Sequence, residues 1–90
     1  VSVQLNIHKT HRRYTDGKDI VEVEGKTVGE CLSVLIEKYP GMQNVLFNSK
    51  GELLNIVEVY VNGESAYPNE LARTVRDGDV IYLVFFLAGG

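Results

Sequence analysis

Val1, Val3, Leu5 and Ile7 alternate with Ser2, Gln4, Asn6 and His8, a period-two pattern that predicts a strand with one buried face. The polar stretch from His8 to Lys18, with Asp16-Gly17 as its turn signal, leads into a second alternating run around Val21 and Val23, so the chain opens as a hairpin with a long loop. Glu24-Gly25-Lys26 interrupts the pattern. Thr27 then stands three residues before Glu30, the capping-box spacing in which each side chain satisfies an exposed N–H at a helix start. Val28, Cys31, Leu32, Leu35, Ile36 and Tyr39 follow at helical spacing on one face, and Pro40-Gly41 closes the helix.

Beyond it, Met42 to Phe47 is a short apolar run with no decided period, and Asn48-Ser49-Lys50-Gly51 reads as a turn. Leu53 to Val61 then predicts a strand with Val57, Val59 and Val61 on one side and Glu58 and Tyr60 on the other. Asn62-Gly63 is the strongest hairpin signal in the chain. Glu64 to Arg76 is irregular, with a short edge strand expected around Pro68 and Leu71, and Asp77-Gly78-Asp79 is a further turn. Val80 to Phe86 is a continuous apolar and aromatic strand.

One amphipathic helix with four to five strands implies a two-layer α+β fold: a mixed sheet with one main helix packed on one face. The opposite face of such a sheet is ordinarily wet and polar, and the final strand departs from that rule. If Ile81, Leu83 and Phe85 face the helix, then Tyr82, Val84 and Phe86 face outward and form an apolar outer patch at the end of the chain.

Ninety residues make one domain. A hydrophobic content of 44% with 23% charged residues is ordinary for a folded soluble chain, and no apolar run approaches the ~20 residues that span a bilayer. Neither a membrane span nor a signal peptide is expected. A net charge of −3 argues against general affinity for a phosphate backbone. One cysteine makes no internal disulfide, and the two histidines lie far from Cys31 with no metal-ligand spacing. A reducing, cytoplasmic setting is the expectation. Cys31, on the apolar helix stripe, is expected to be core rather than a sulfur relay. The basic cluster His8, Lys9, His11, Arg12 and Arg13 is expected to be a solvated loop rather than a docking site.

The sequence closes on Leu87-Ala88-Gly89-Gly90. Two glycines carry no Cβ, so such a tail enters a slot too narrow for any larger side chain. Stretched out, these four residues reach about 13 Å, enough to cross the wall of a partner's cleft. That points to the terminal carboxylate of Gly90 as a reactive group; a frayed terminus has the same composition. Residues 1–86 are therefore read as the domain and residues 87–90 as a flexible tail.

The element order, the run Thr27-Val28-Gly29-Glu30, the run Val59-Tyr60-Val61-Asn62-Gly63-Glu64, and Val75-Arg76-Asp77-Gly78-Asp79 followed by eleven residues ending in Gly-Gly together resemble the ubiquitin-like sulfur carriers. These are β-grasp proteins such as the small subunit of molybdopterin synthase, the thiamine-pathway sulfur carrier and the archaeal ubiquitin-like modifiers. In one respect the chain departs from the molybdopterin-type pattern: Phe85-Phe86-Leu87-Ala88 occupies the approach to the glycines, where those members usually carry proline.

The resemblance implies a carrier, not an enzyme, with no catalytic residues of its own and no stably bound cofactor. A carboxylate with a pKa of about 3.5 is ionised at neutral pH and resists nucleophiles until it is activated. In the family, an ATP-using adenylating enzyme of the ubiquitin-activating type forms an acyl-adenylate on the terminal glycine, and a sulfur nucleophile displaces AMP to leave a thiocarboxylate. A synthase subunit or other enzyme then takes the sulfur. Carried onto this chain, Gly90 holds the adenylate and then the sulfur. Gly89 and Ala88 thread the tail into the partner, while Leu87, Phe86, Val84, Tyr82 and Tyr60 bind it. The molybdopterin pathway stands first among the destinations. A ubiquitin-like modifier joined through Gly90 to lysines is the second reading, and a plain β-grasp binding module is the third.

Overall fold

The computed structural model describes residues 1–86; the expected tail residues Leu87, Ala88, Gly89 and Gly90 lie outside the described residues. Strand β1 (Ser2–Asn6) and the last strand, β5 (Val80–Phe85), run parallel in the middle of the sheet, with Leu5 opposite Ile81. β2 (Ile20–Glu24) pairs antiparallel with β1, β3 (Val57–Val61) pairs antiparallel with β5, and β4 (Glu64–Ser65) closes the far edge. The order is therefore β2-β1-β5-β3-β4, the mixed five-stranded sheet of a β-grasp fold.

Helix α1 (Val28–Lys38) starts where the capping box places it: the Thr27 hydroxyl accepts from the Glu30 N–H at 3.2 Å, and the Glu30 carboxylate reaches back to the N–H of Lys26 at 2.9 Å. The return contact thus falls one residue earlier than the N-cap itself. Val28, Cys31, Leu32 and Leu35 are buried against the inner face of the sheet, where they meet Val3, Leu5, Ile7, Val59, Ile81 and Leu83; Ile36 and Tyr39 pack at the margin. Burying a side chain of this kind is worth about 1.5–3 kcal/mol, so this single layer holds the domain together.

The ambiguous stretch after Pro40 forms a 3-10 turn (Pro40–Met42) and one helical turn (Gln43–Leu46), and both Met42 and Leu46 are fully buried. The strand expected from Leu53 begins only at Val57. Residues 53–56 instead turn back on the helical segment, with the Leu54 N–H bonded to the Leu46 carbonyl and the Val57 N–H to the Leu54 carbonyl. The edge strand is Glu64–Ser65 and excludes both Pro68 and Leu71; Leu71 lies in a 3-10 turn, Glu70–Ala72, packed on the start of α1. Gly29 permits that approach, because a Cβ there would sit 3.0 Å from the Leu71 carbonyl oxygen. Asn62 and Gly63, at φ 52° and 85°, make the expected tight turn between β3 and β4.

Candidate functional site

Strand β5 carries the candidate site, because it delivers the chain to residue 86 and alternates its side chains across the sheet. Ile81 and Leu83 are buried on the helix side, as the period predicts. Tyr82 points outward and is 40% exposed, Val84 is half-buried, and Phe86 is 51% exposed. Tyr60 stands directly opposite Tyr82 on β3. Tyr60, Val80, Tyr82 and Val84 line one shallow concavity with Asn62 and Gly63. The outward positions of β1, Gln4 and Asn6, are polar and border this patch through Asn6, the register partner of Tyr82. An apolar patch with a polar edge is the ordinary makeup of a protein-docking face.

Tyr60 is fixed within the patch. Its hydroxyl donates to the Glu58 carboxylate two residues along the strand at 2.5 Å. That hydrogen bond, and then the charge of Glu58, raise the phenol above its ordinary range. Phe86 follows β5 with its N–H on the Ile56 carbonyl at 2.8 Å, so the backbone is held by a hydrogen bond up to the last described residue.

Of the expected site residues, Tyr60, Tyr82 and Val84 come together on one face and Phe86 lies at its end, whereas Leu87, Ala88, Gly89 and Gly90 are outside the described residues. Phe85 meets His8 and His11 of the basic cluster, which therefore is not wholly a solvated loop. Residues Lys9–Thr15 form a 3-10 turn, in which side chains three apart eclipse. His11 stacks on Phe85 with ring centroids 3.8 Å apart and planes 18° from parallel, and His8 meets the same ring edge-on at 6.4 Å. The three-residue recurrence His8, His11, Tyr14 was the signal available in the sequence.

The hydrogen bonds of this turn assign its tautomers. His8 Nδ1 accepts the Thr10 N–H at 3.2 Å, capping the turn, and lies 2.8 Å from Thr10 Oγ1, whose proton it also takes. Thr10 Oγ1 is then left to accept from His11 Nδ1–H at 2.8 Å. Burial, followed by the neighbouring His8 and Arg13, lowers the His11 pKa. Thr15 is fully buried, with its hydroxyl proton shared between the Arg12 and Lys18 carbonyls at 3.1 and 2.9 Å. Asp16, at φ 55°, closes the turn.

Cys31 is fully buried, and burial, together with the charge of Glu30, pushes its thiol pKa up. It sits in the core as the sequence suggests. Among the described residues no three potential ligands gather into a metal site, and no helix is long and apolar enough to cross a membrane.

The ThiS family profile matches residues 7–90. The sulfur carrier protein CysO of Mycobacterium tuberculosis is 32% identical over 93 aligned positions covering 100% of each chain. The small archaeal modifier protein 1 of Haloferax volcanii is 34% identical over 71 positions, 78% of each chain. Among solved structures, the Amycolatopsis orientalis BexX/CysO complex contains a chain with a TM-score of 0.87 and 30% identity, covering 98% of this chain and 99% of its own.

Proposed function

The chain belongs to the ThiS family of ubiquitin-like sulfur carriers, and from that premise we propose that it carries sulfur on the carboxylate of Gly90 for a biosynthetic enzyme. It is a carrier and a substrate of other enzymes rather than an enzyme itself. What carries the reading is the full-length likeness to a sulfur carrier, together with a family match that runs through Gly89 and Gly90.

The chemistry follows from the inertness of a carboxylate. One oxygen of Gly90 attacks the α-phosphate of ATP in the active site of a ubiquitin-activating-type enzyme, forming the acyl-adenylate and releasing pyrophosphate. Sulfide then attacks the acyl carbon and AMP leaves with the C–O bond pair, giving the thiocarboxylate. A persulfide donor gives an acyl disulfide instead, from which a thiol reductant releases the same product. ATP is the partner's substrate and is not held by this chain. Gly89 and Ala88 let the partner close around the tail. Leu87 and Phe86 anchor the base of the tail, and the Tyr60, Tyr82 and Val84 face docks the body. The likeness to a chain found in a BexX/CysO complex supports such a docked body. The molybdopterin-type acceptor read from the sequence belongs to this proposal as its finer form.

A second reading is favoured by one observation, the likeness to small archaeal modifier protein 1: an activated Gly90 attacked by a lysine amine gives an isopeptide bond. Intact mass spectrometry of the chain purified from its own cells separates the two. Replacement of one oxygen by one sulfur supports the carrier, and Gly-Gly remnants on lysines of other proteins support the modifier. Adding one residue after Gly90 abolishes either role, so an extended chain that keeps its full cellular function overturns both and leaves a plain binding module.

A further inference from the structure

Resting on the carrier reading, we propose that the 3-10 turn Lys9–Thr15 is a second docking surface, electrostatic in character, for an acidic wall of the cleft that receives the tail.

The turn sits at the root of the tail. His11 and His8 hold Phe85, the last residue of β5, from the helix side of the sheet, while Val84 and Tyr82 present the apolar patch on the opposite side. A cleft that admits the chain beyond Phe86 therefore has two walls to satisfy. One meets the aromatic patch, and the other meets this turn.

Its charge is of one sign. Lys9, Arg12 and Arg13 place three of the chain's nine cations within five residues, and no carboxylate lies between Lys9 and Thr15, although the chain as a whole carries −3. Lys9 and Arg13 are exposed. Among the described residues the ion pair formed is Arg73 with Glu64, so the cations of the turn have no carboxylate partner there. An acidic partner surface would be repelled by the rest of this acidic body and attracted here, which fixes orientation as well as encounter rate. Three cations on an otherwise acidic chain are too few to hold nucleic acid at physiological salt.

The turn is also rigid. The His8 cap, the Thr15 hydroxyl and the Gly17 N–H on the Arg12 carbonyl at 2.8 Å close it on itself, and the Arg12 Nε on the Ile7 carbonyl at 3.1 Å ties it to the residue that follows β1. Arg13 lies over the Tyr14 ring, 4.9 Å from its centroid. Charges presented on an ordered platform lose little entropy when they meet a partner.

The test is ATP–pyrophosphate exchange by the adenylating enzyme of the same cell, with the full chain as the varied substrate at low and high salt. The double variant Lys9→Glu with Arg13→Glu is expected to raise KM about tenfold at low salt with kcat unchanged, and rising salt should bring the natural chain's KM toward the variant's. Lys26→Glu with Lys50→Glu, which changes the net charge equally, should leave KM near its natural value. Equal KM for the natural chain and the first variant overturns the surface while leaving the carrier intact. Equal increases in both variants overturn it too, as an effect of net charge alone. So does a salt-sensitive dimer of the isolated chain that the first variant abolishes, since the occupant would then be a second copy. No exchange with the natural chain at any concentration overturns the carrier reading, and the surface with it.

Discussion

Asn62 and Asp79, seventeen residues apart, lock the turn between β3 and β4 to the turn that leads into β5: the Asn62 side-chain amide donates to Asp79 Oδ1 at 2.9 Å while its own Oδ1 accepts the Val80 N–H at 2.9 Å. The second Asp79 oxygen accepts the Arg76 N–H at 2.8 Å. Asn62 also occupies the left-handed region at φ 52°, which Asn tolerates better than Ala. Asn62→Ala therefore loses both side-chain bonds and adds backbone strain, and a loss of about 1–3 kcal/mol in denaturant unfolding is expected. Asn62→Gly, which loses the same two bonds but relieves the backbone strain, should cost less. Equal losses in the two variants would show that φ contributes nothing.

The same pair sets an acid limit. The bond from Asn62, and then that from Arg76, lower the Asp79 pKa below its ordinary value near 3.8. A carboxyl depressed in the folded state contributes stability that is present above the unfolded value and lost as pH falls through the folded one. Asp79→Asn offers one acceptor oxygen where two donors wait, so it is expected to be less stable at pH 7. Its melting temperature should also fall less steeply than that of the natural chain below pH 4. Parallel slopes would remove Asp79 from the acid response.

Cys31 offers a test of core against relay. A fully buried thiol with a raised pKa holds little thiolate at neutral pH, and thiolate is the nucleophile. Alkylation by iodoacetamide is expected only through unfolding, so its rate should follow denaturant concentration. Cys31→Ala should cost about 1 kcal/mol for one lost heavy atom and its cavity and leave sulfur loading on the chain unchanged. Loss of loading with the fold intact would make Cys31 a relay.

Much of the frame was legible because single-face burial writes itself as a period. Val3, Leu5 and Ile7 in β1, and Val57, Val59 and Val61 in β3, all lie on the buried side, and the Thr27–Glu30 box marks the helix start within one residue. Residues 53–56 misled because Leu53 and Leu54 are apolar for another reason: they pack on the turn at Leu46 rather than in the sheet. Of the candidate site, Tyr60 and Tyr82 were legible as outward positions. The His11–Phe85 stack was not, since it pairs residues seventy-four positions apart and the His8, His11, Tyr14 recurrence marks a turn without naming its partner.

That stack has a pH consequence. The His11 pKa is lowered chiefly by burial against its neighbours, so the folded state binds fewer protons than the unfolded state between the two values. Stability then falls as pH drops from about 6.5 toward the folded pKa and levels off below it. His8, Arg12 and Arg13 of the same turn, with the ring of Phe85 on the strand, are the groups around it. His11→Phe keeps an aromatic ring on Phe85 without a titrating group, and its melting temperature should fall less than that of the natural chain between pH 7 and pH 5. Identical pH profiles would place the acid sensitivity elsewhere.

The outer face of β5 carries the last prediction. Phe86 is half exposed, and its backbone N–H rather than its ring ties it to the sheet, so Phe86→Asp should change stability by no more than about 0.5 kcal/mol. In the docking proposed above the same ring would meet the base of the partner's cleft, where truncating or charging a central aromatic costs about tenfold or more in affinity. The KM of this chain in ATP–pyrophosphate exchange should therefore rise at least that much. Tyr82→Ala should act in the same direction, and Gln4→Ala, on the polar border, should not. If Phe86→Asp and Gln4→Ala leave KM equally unmoved, the aromatic face has no part in recognition and the tail alone is read.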